Sequence, residues 1–316
     1  MSLIRNALRQ TVFATVFAFS TAIGFHSGAE AQQREAAPAP VATVPTEPAT
    51  QLRPALWLVR DADTTIYLFG TVHLLQPGLN WLNGPVVQAL AQSETLVTEV
   101  VKTEDEDLAL QAAVQDLAML PPGQSLREMM KPDARKAYEA LLSREGISAD
   151  AFDSYEPWYP AIVLSMLPLI KQGMLPDSGV EEKLNEVHGT RTREGLETSR
   201  FQIELFDTLS AATQYDYLAS VVANYDEIGP KMDSLVTAWG KGDDQAIGAA
   251  MFDNNDIPEV ADVLVRRRNE TWAHWISNRL EHPGTVFVAV GAGHLAGQDS
   301  VQHFLEADKL KVERVQ

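Results

Sequence analysis

The chain has 316 residues, 45% of them apolar, and a formal net charge of −18 from 25 Lys and Arg against 43 Asp and Glu. Its length fits one large domain or two small ones, and its acidic balance excludes binding to nucleic acid or anionic lipid through bulk electrostatics. With no cysteine, disulfides, a thiol nucleophile, iron–sulfur ligation and cysteine-held zinc are excluded as well.

The N-terminus reads as an address rather than as core. Arg5 and Arg9 precede TVFATVFAFSTAIGF, and AEA follows at 29–31. A positive start, an apolar run and a small-x-small site form a secretory signal over residues 1–31. The apolar run is short for a full membrane span, and no later segment is long and apolar enough to span a bilayer. The alternative is an uncleaved N-terminal anchor. Residues 32–54, rich in Pro, Ala and Thr, read as a disordered leader before a single domain over 55–316. No cysteine follows the signal to carry a lipid, so the expected location is the periplasm or the medium.

Within the domain, LWLV and TIYLF read as a hairpin turned at DAD, residues 61–63. PVVQALAQ reads as a short helix with Pro85 near its start. TLVTEVV is the next strand and carries Glu99. From about 104 to 280 the apolar spacing is mainly helical, broken by PPG at 121–123, by Pro132 and by GKGDD at 240–244. TREGLE, ending near Glu197, is a short strand inside that stretch, and VADVLVRRRNETWAHWISNRLE is a long amphipathic helix. TVFVAV, VQHFLEAD and LKVERV then give strand, helix, strand. Phe152, Trp158 and Tyr159 line either a cleft or the core. The expected class is α/β: a central mixed sheet contributed by both ends of the chain, with a large helical insert.

Two segments share a pattern. IYLFGTVHLL at 66–75 and VFVAVGAGHL at 286–295 each run from an apolar strand into glycine, then place histidine three residues later. The pairs Gly70/His73 and Gly291/His294 therefore sit just past strand ends, where sites form in α/β sheets. A lone histidine in such a place is usually a structural hydrogen-bonding group. Two at matched offsets can face one centre. A divalent ion needs a further ligand, and Glu99, flanked by Val and Thr, is the best carboxylate. Its plainer reading is a solvated edge residue or an ion pair with arginine. Glu197 is the next candidate. Of the three arginines at 266–268, one can turn inward toward a carboxylate. HExxH, GxSxG, the phosphate loop and the dinucleotide loop are absent from the sequence.

These segments resemble the TraB/PrgY/GumN family, whose animal relatives include the Tiki proteins. The resemblance rests on LWLVRDADTTIYLFGTVHLL, TLVTEV, GVEEKL, EGLETSRFQ, RRRNETWAHWI and VFVAVGAGHLAG, and it covers essentially the whole chain after the leader. It implies that His73 and His294 belong to an active site together with Glu99. It also matches the family's GLE glutamate to Glu197 and its arginine–asparagine pair to Arg268 and Asn269. Tiki proteins are described as metal-dependent proteases, so the resemblance implies a metallohydrolase acting on a peptide or exposed protein segment, with no substrate named. Glu181 stands where the family more often has aspartate, and Thr271 and Trp272 where basic and methionine residues are commoner.

The resulting expectation is a divalent ion (Mn²⁺, Co²⁺ or Zn²⁺) held by His73, His294 and Glu99, with Glu99 alternatively serving as general base. Glu197 would orient a ligand imidazole and Arg268 would steady an oxyanion. The competing readings are a non-catalytic periplasmic protein binding a peptide, metal or haem, and a purely structural role for both histidines. The sequence leaves the oligomeric state open.

Overall fold

A computed structural model describes residues 51–252 and 257–316. The expected signal at 1–31 and the leader over 32–50 lie outside the described residues. The last leader residues are part of the fold rather than a disordered tail. Leu52 N–H donates to the Asn80 carbonyl and Arg53 N–H to that of Gly240, and the Leu52 side chain packs on the core beside Trp239.

Six strands form one mixed sheet: β1 (Leu56–Arg60), β2 (Thr64–Thr71), β3 (Thr95–Thr98), β4 (Thr192–Gly195), β5 (Gly284–Gly291) and β6 (Val312–Arg314), in the order β4-β3-β5-β2-β1-β6. β4, β3, β5 and β2 run parallel, while β1 is antiparallel to both β2 and β6. The β1–β2 hairpin closes as its sequence suggested. Asp61 Oδ1 accepts the N–H groups of Asp63 (3.1 Å) and Thr64 (2.8 Å), a side-chain mimic of a backbone turn.

The apolar run of β5 follows from its central position. Val286, Val288 and Val290 face one side with Ile66, Leu68, Trp272 and Ile276. Phe287 and Ala289 face the other with Phe69, Trp81 and Trp239. A parallel strand covered on both faces has no polar side to show. Each large apolar side chain buried here contributes roughly 1.5–3 kcal/mol.

Helices α1 (Gly84–Gln92), α2 (Glu104–Leu117), α3 (Leu126–Met129), α4 (Pro132–Glu145), α5 (Trp158–Lys171), α6 (Val180–His188), α7 (Ser199–Asp207), α8 (Ala211–Ala223), α9 (Tyr225–Lys241), α10 (Asp244–Phe252), α11 (Pro258–Ala261), α12 (Arg267–Arg279) and α13 (Val301–Ala307) complete the described chain. α1, α6 and α9 cover one face of the sheet, and α12 and α13 the other. α2, α4, α5, α7 and α8 build a second core around Tyr138, Phe152, Trp158, Tyr159 and Phe206, so those three aromatics are core residues rather than cleft lining. Among the described residues no helix is long and apolar enough to cross a membrane.

Two helices differ from the sequence pattern. α9 starts at Tyr225 and carries Pro230 inside it, a residue that ordinarily breaks a helix. The long helix before β5 is in three parts, because a π-helical segment, Asp262–Arg266, joins α11 to α12. Its extra residue per turn resets the phase of everything that follows.

Candidate active site at the ends of four parallel strands

Each of the four parallel strands delivers one candidate residue just past its carboxyl end. Glu99 follows β3 directly. His73 and Glu197 lie two residues beyond β2 and β4, and His294 sits in the 3-10 turn Ala292–Leu295 after β5. The pairing Thr71↔Gly291, Thr98↔Ala289 and Thr98↔Gly195 aligns these ends side by side.

Gly291 is where they meet. Its N–H donates to Glu99 Oε1 at 2.8 Å. A Cβ placed on Gly291 would lie 3.2 Å from Glu99 Oε1, 3.4 Å from His294 Cδ2 and 3.7 Å from His73 Nε2. Glycine therefore leaves open the space the three groups share. His294 Nε2 and Glu99 Oε1 are 3.9 Å apart.

The partners of each imidazole fix which nitrogen faces that space. His73 Nδ1 lies 2.7 Å from Glu181 Oε1. Glu181 reaches it because Val180 N–H, at the start of α6, donates to the Val72 carbonyl at 3.1 Å. Gly179 makes this possible, since any Cβ there would collide with the His73 carbonyl oxygen. On the other ring, His294 Nδ1 lies 2.6 Å from Asn269 Oδ1. Asn269 Nδ2 donates to the Asp299 carbonyl at 2.6 Å, so its Oδ1 accepts and His294 carries its proton on Nδ1. Both rings thus turn Nε2 toward the Gly291 side.

Glu99 is not the solvated edge residue of the plainer reading. It is buried, just past the end of an interior strand, and its Oε2 accepts from Arg268 Nη2 (2.7 Å) and Gln202 Nε2 (3.0 Å). Arg268 also binds Glu197 through Nε (2.9 Å) and Nη2 (2.8 Å), and the Leu264 carbonyl through Nη1 (2.9 Å). Glu197 further accepts from Trp272 Nε1 (3.1 Å) and Gln202 Nε2 (3.1 Å). Glu197 therefore anchors Arg268 and Trp272, and the imidazole partners are Glu181 and Asn269. The Trp272 ring lies 4.7 Å from the Arg268 guanidinium carbon and 4.5 Å from the His294 ring, tilted 52° to it. Of the three consecutive arginines only Arg268 turns inward. Arg266 and Arg267 both pair with Asp262.

Electrostatics separate the two histidines. Burial works against a charge on either ring. At His73 the Glu181 carboxylate, helped by Glu99, outweighs burial and lifts the pKa to about 9. At His294 the Arg268 charge adds to burial and lowers it to about 3. Burial opposes ionisation of Glu99 too, but Arg268 and the Gly291 N–H hold it well below the usual carboxylate range.

As a ligand set these groups are partly ready. Two imidazole Nε2 atoms, each with its second nitrogen held by an oxygen, and one carboxylate oxygen are a suitable donor chemistry for a divalent ion, which would displace the proton that Glu181 favours on His73. Yet among the described residues no three His, Asp or Glu side chains form a ready-made ion cage. Arg268 Nη1 stands 3.2 Å from His294 Nε2, where it competes for the same lone pair.

The sequence profile of the TraB/PrgY/gumN family matches residues 55–314. The chain belongs to that family. Comparison with curated proteins and with solved structures gave no significant match. In this TraB/PrgY/gumN member, the matched stretch starts one residue before β1 and ends with β6, so it encloses the sheet and all four strand ends that carry the site.

Gln202 and Glu181 had no assigned role in the sequence reading. Gln202 did leave a signal: it lies on the buried stripe of α7 with Ser199, Ile203 and Phe206, where a polar side chain needs a partner. Glu181 left one only through the resemblance, which sets it where aspartate is commoner; by pattern alone, an acidic residue in a first helical turn is ordinarily read as complementing the helix dipole.

Proposed function

We propose that this chain is a metal-dependent hydrolase, with a peptide or an exposed protein segment as substrate. The observation that carries the proposal is the approach of His73 Nε2, His294 and Glu99 Oε1 to one point above Gly291. His73, His294 and Glu99 would hold the ion, whether Mn²⁺, Co²⁺ or Zn²⁺. When bound, it would supply Lewis-acid polarisation of a carbonyl and a lowered pKa for water.

The remaining roles follow from contacts. Glu181 and Asn269 orient the two rings. Arg268 and Gln202 hold Glu99 in place and ionised, which suits it to ligation better than to proton abstraction, because a general base works best with a pKa near the operating pH. Arg268 is occupied by two carboxylates, so its first task is positioning rather than oxyanion contact. Glu197 and Trp272 fix Arg268. The expected export signal puts this chemistry in the periplasm or outside the cell.

The Arg268–His294 contact favours a second reading, a non-catalytic protein that binds a peptide. Haem suits the site poorly. The cavity beside His294 is about 250 Å³, below the roughly 300–1,000 Å³ typical of clefts for drug-sized ligands. Incubating the purified full chain with a peptide library separates the two. The hydrolase reading expects cleavage that stops on chelation and returns with Mn²⁺, Co²⁺ or Zn²⁺. Peptide capture without cleavage, at every metal tested, contradicts it.

A further inference from the structure

A cavity opens beside the proposed centre. Among the described residues its walls are Leu205 and Phe206 from α7, Met251 from α10, Val260 and Ala261 from α11, and Leu264 and Val265 from the π-helical segment. Its inner end is formed by Gln202, Arg268 and His294, which are the groups that touch or face Glu99. We infer that this cavity is a specificity pocket that takes one large apolar side chain of a peptide substrate, next to the bond to be cut. The inference rests on the hydrolase reading and names the substrate class for it.

Three observations select an apolar occupant. The walls are aliphatic and aromatic. The volume, about 250 Å³, exceeds the ~150 Å³ of an apolar cavity that accommodates benzene, so a leucine, methionine or phenylalanine side chain fits. The polar end offers no unmatched charge. Arg268 is already shared by Glu99 and Glu197, and the Gln202 amide nitrogen serves the same two carboxylates. An acidic side chain would meet a cation already neutralised, and a basic one no carboxylate among the described lining residues. Either would lose its water without gaining a partner.

The π-helical segment is what joins pocket to centre. It presents Leu264 and Val265 to the cavity. The Leu264 carbonyl accepts Arg268 Nη1, so the pocket wall and the Glu99 anchor are one hydrogen-bonded unit. An apolar side chain seated there lies against the residues that hold Glu99 and His294.

The test is the cleavage profile of the full chain, with divalent metal, on peptides that differ at one residue beside the scissile bond. Leucine or phenylalanine is expected to exceed glycine or asparagine by about tenfold or more in kcat/KM. Ala261→Phe, which fills the cavity from its rim, is expected to erase most of that ratio, and Val265→Ala to move it toward larger aromatics. Cleavage indifferent to the side chain, or an unchanged ratio in both variants, overturns the pocket and leaves the hydrolase reading standing. If no peptide is cut, the hydrolase reading fails, and binding decides the pocket. N-acetyl-leucinamide should then shift the Trp272 and His294 resonances in wild type but not in Ala261→Phe. No difference between it and N-acetyl-asparaginamide overturns the pocket on its own.

Discussion

Arg127 in the helical region and Arg268 at the sheet ends do similar chemistry in opposite settings. Arg127 grips Asp153 (2.6 and 2.7 Å) and Glu139 (3.2 Å) with its side chain 18% exposed. Arg268 grips Glu99 and Glu197 with all three side chains 5% exposed. A pair at the surface keeps much of its water and is worth little. A buried pair is costly to assemble and more costly to break. The core of the helical region is Trp158, Tyr159, Phe206 and their aliphatic neighbours, and its one comparably buried carboxylate among the described ion pairs, Glu145, pairs with the exposed Lys171 and Arg144. The sheet ends bury a cation between two carboxylates, charge that packing alone does not explain, which makes them the candidate site.

The contrast predicts a large gap between two matched substitutions. Arg268→Met strands two buried carboxylates and is expected to cost about 3–5 kcal/mol in denaturant unfolding. A loss under about 1 kcal/mol would mean that Glu99 and Glu197 find other partners. Next in size is Gly291→Ala. Its new methyl would press on Glu99 Oε1 and the His294 ring, at a cost of roughly 1–3 kcal/mol, and metal affinity should fall with it. Unchanged affinity would show that the space above Gly291 is not the shared centre. Arg127→Met is expected to cost only about 1 kcal/mol.

The smallest effect is a pH signature that sharpens the comparison. The Arg127 hydrogen bonds hold the Asp153 carboxyl below its ordinary 3.8. A depressed carboxylate stabilises the fold above its unfolded pKa, and that contribution fades as pH falls through the lower folded value. The stability difference between wild type and Arg127→Met should therefore be flat above about pH 4–5 and shrink on further acidification. A difference that grows toward acid contradicts the pairing.

Much of this arrangement was legible in the residues. The strands showed because apolar runs end at clear turn signals, as at DAD before Thr64 and at Gly291 after VFVAV. His73, Glu99 and His294 showed because glycine or strand ends precede them. What stayed hidden was phase and partnership. That Arg268, rather than Arg266 or Arg267, turns inward came only from the resemblance, because it depends on a π-helical segment that no periodicity announces. The pairing of His73 with Glu181 joins residues far apart in the chain, through a helix start that only tertiary packing places beneath the histidine.

The central claim is that two histidines and Glu99 make one centre able to grip an ion. Calorimetric titration of the purified full chain and of its His73→Ala/His294→Ala variant with Mn²⁺, Co²⁺ and Zn²⁺ tests it most directly. One ion per chain is expected for wild type, with affinity more than about 100-fold weaker in the variant, beyond what losing an outer partner alone costs. Equal stoichiometry and affinity in the two proteins would contradict it.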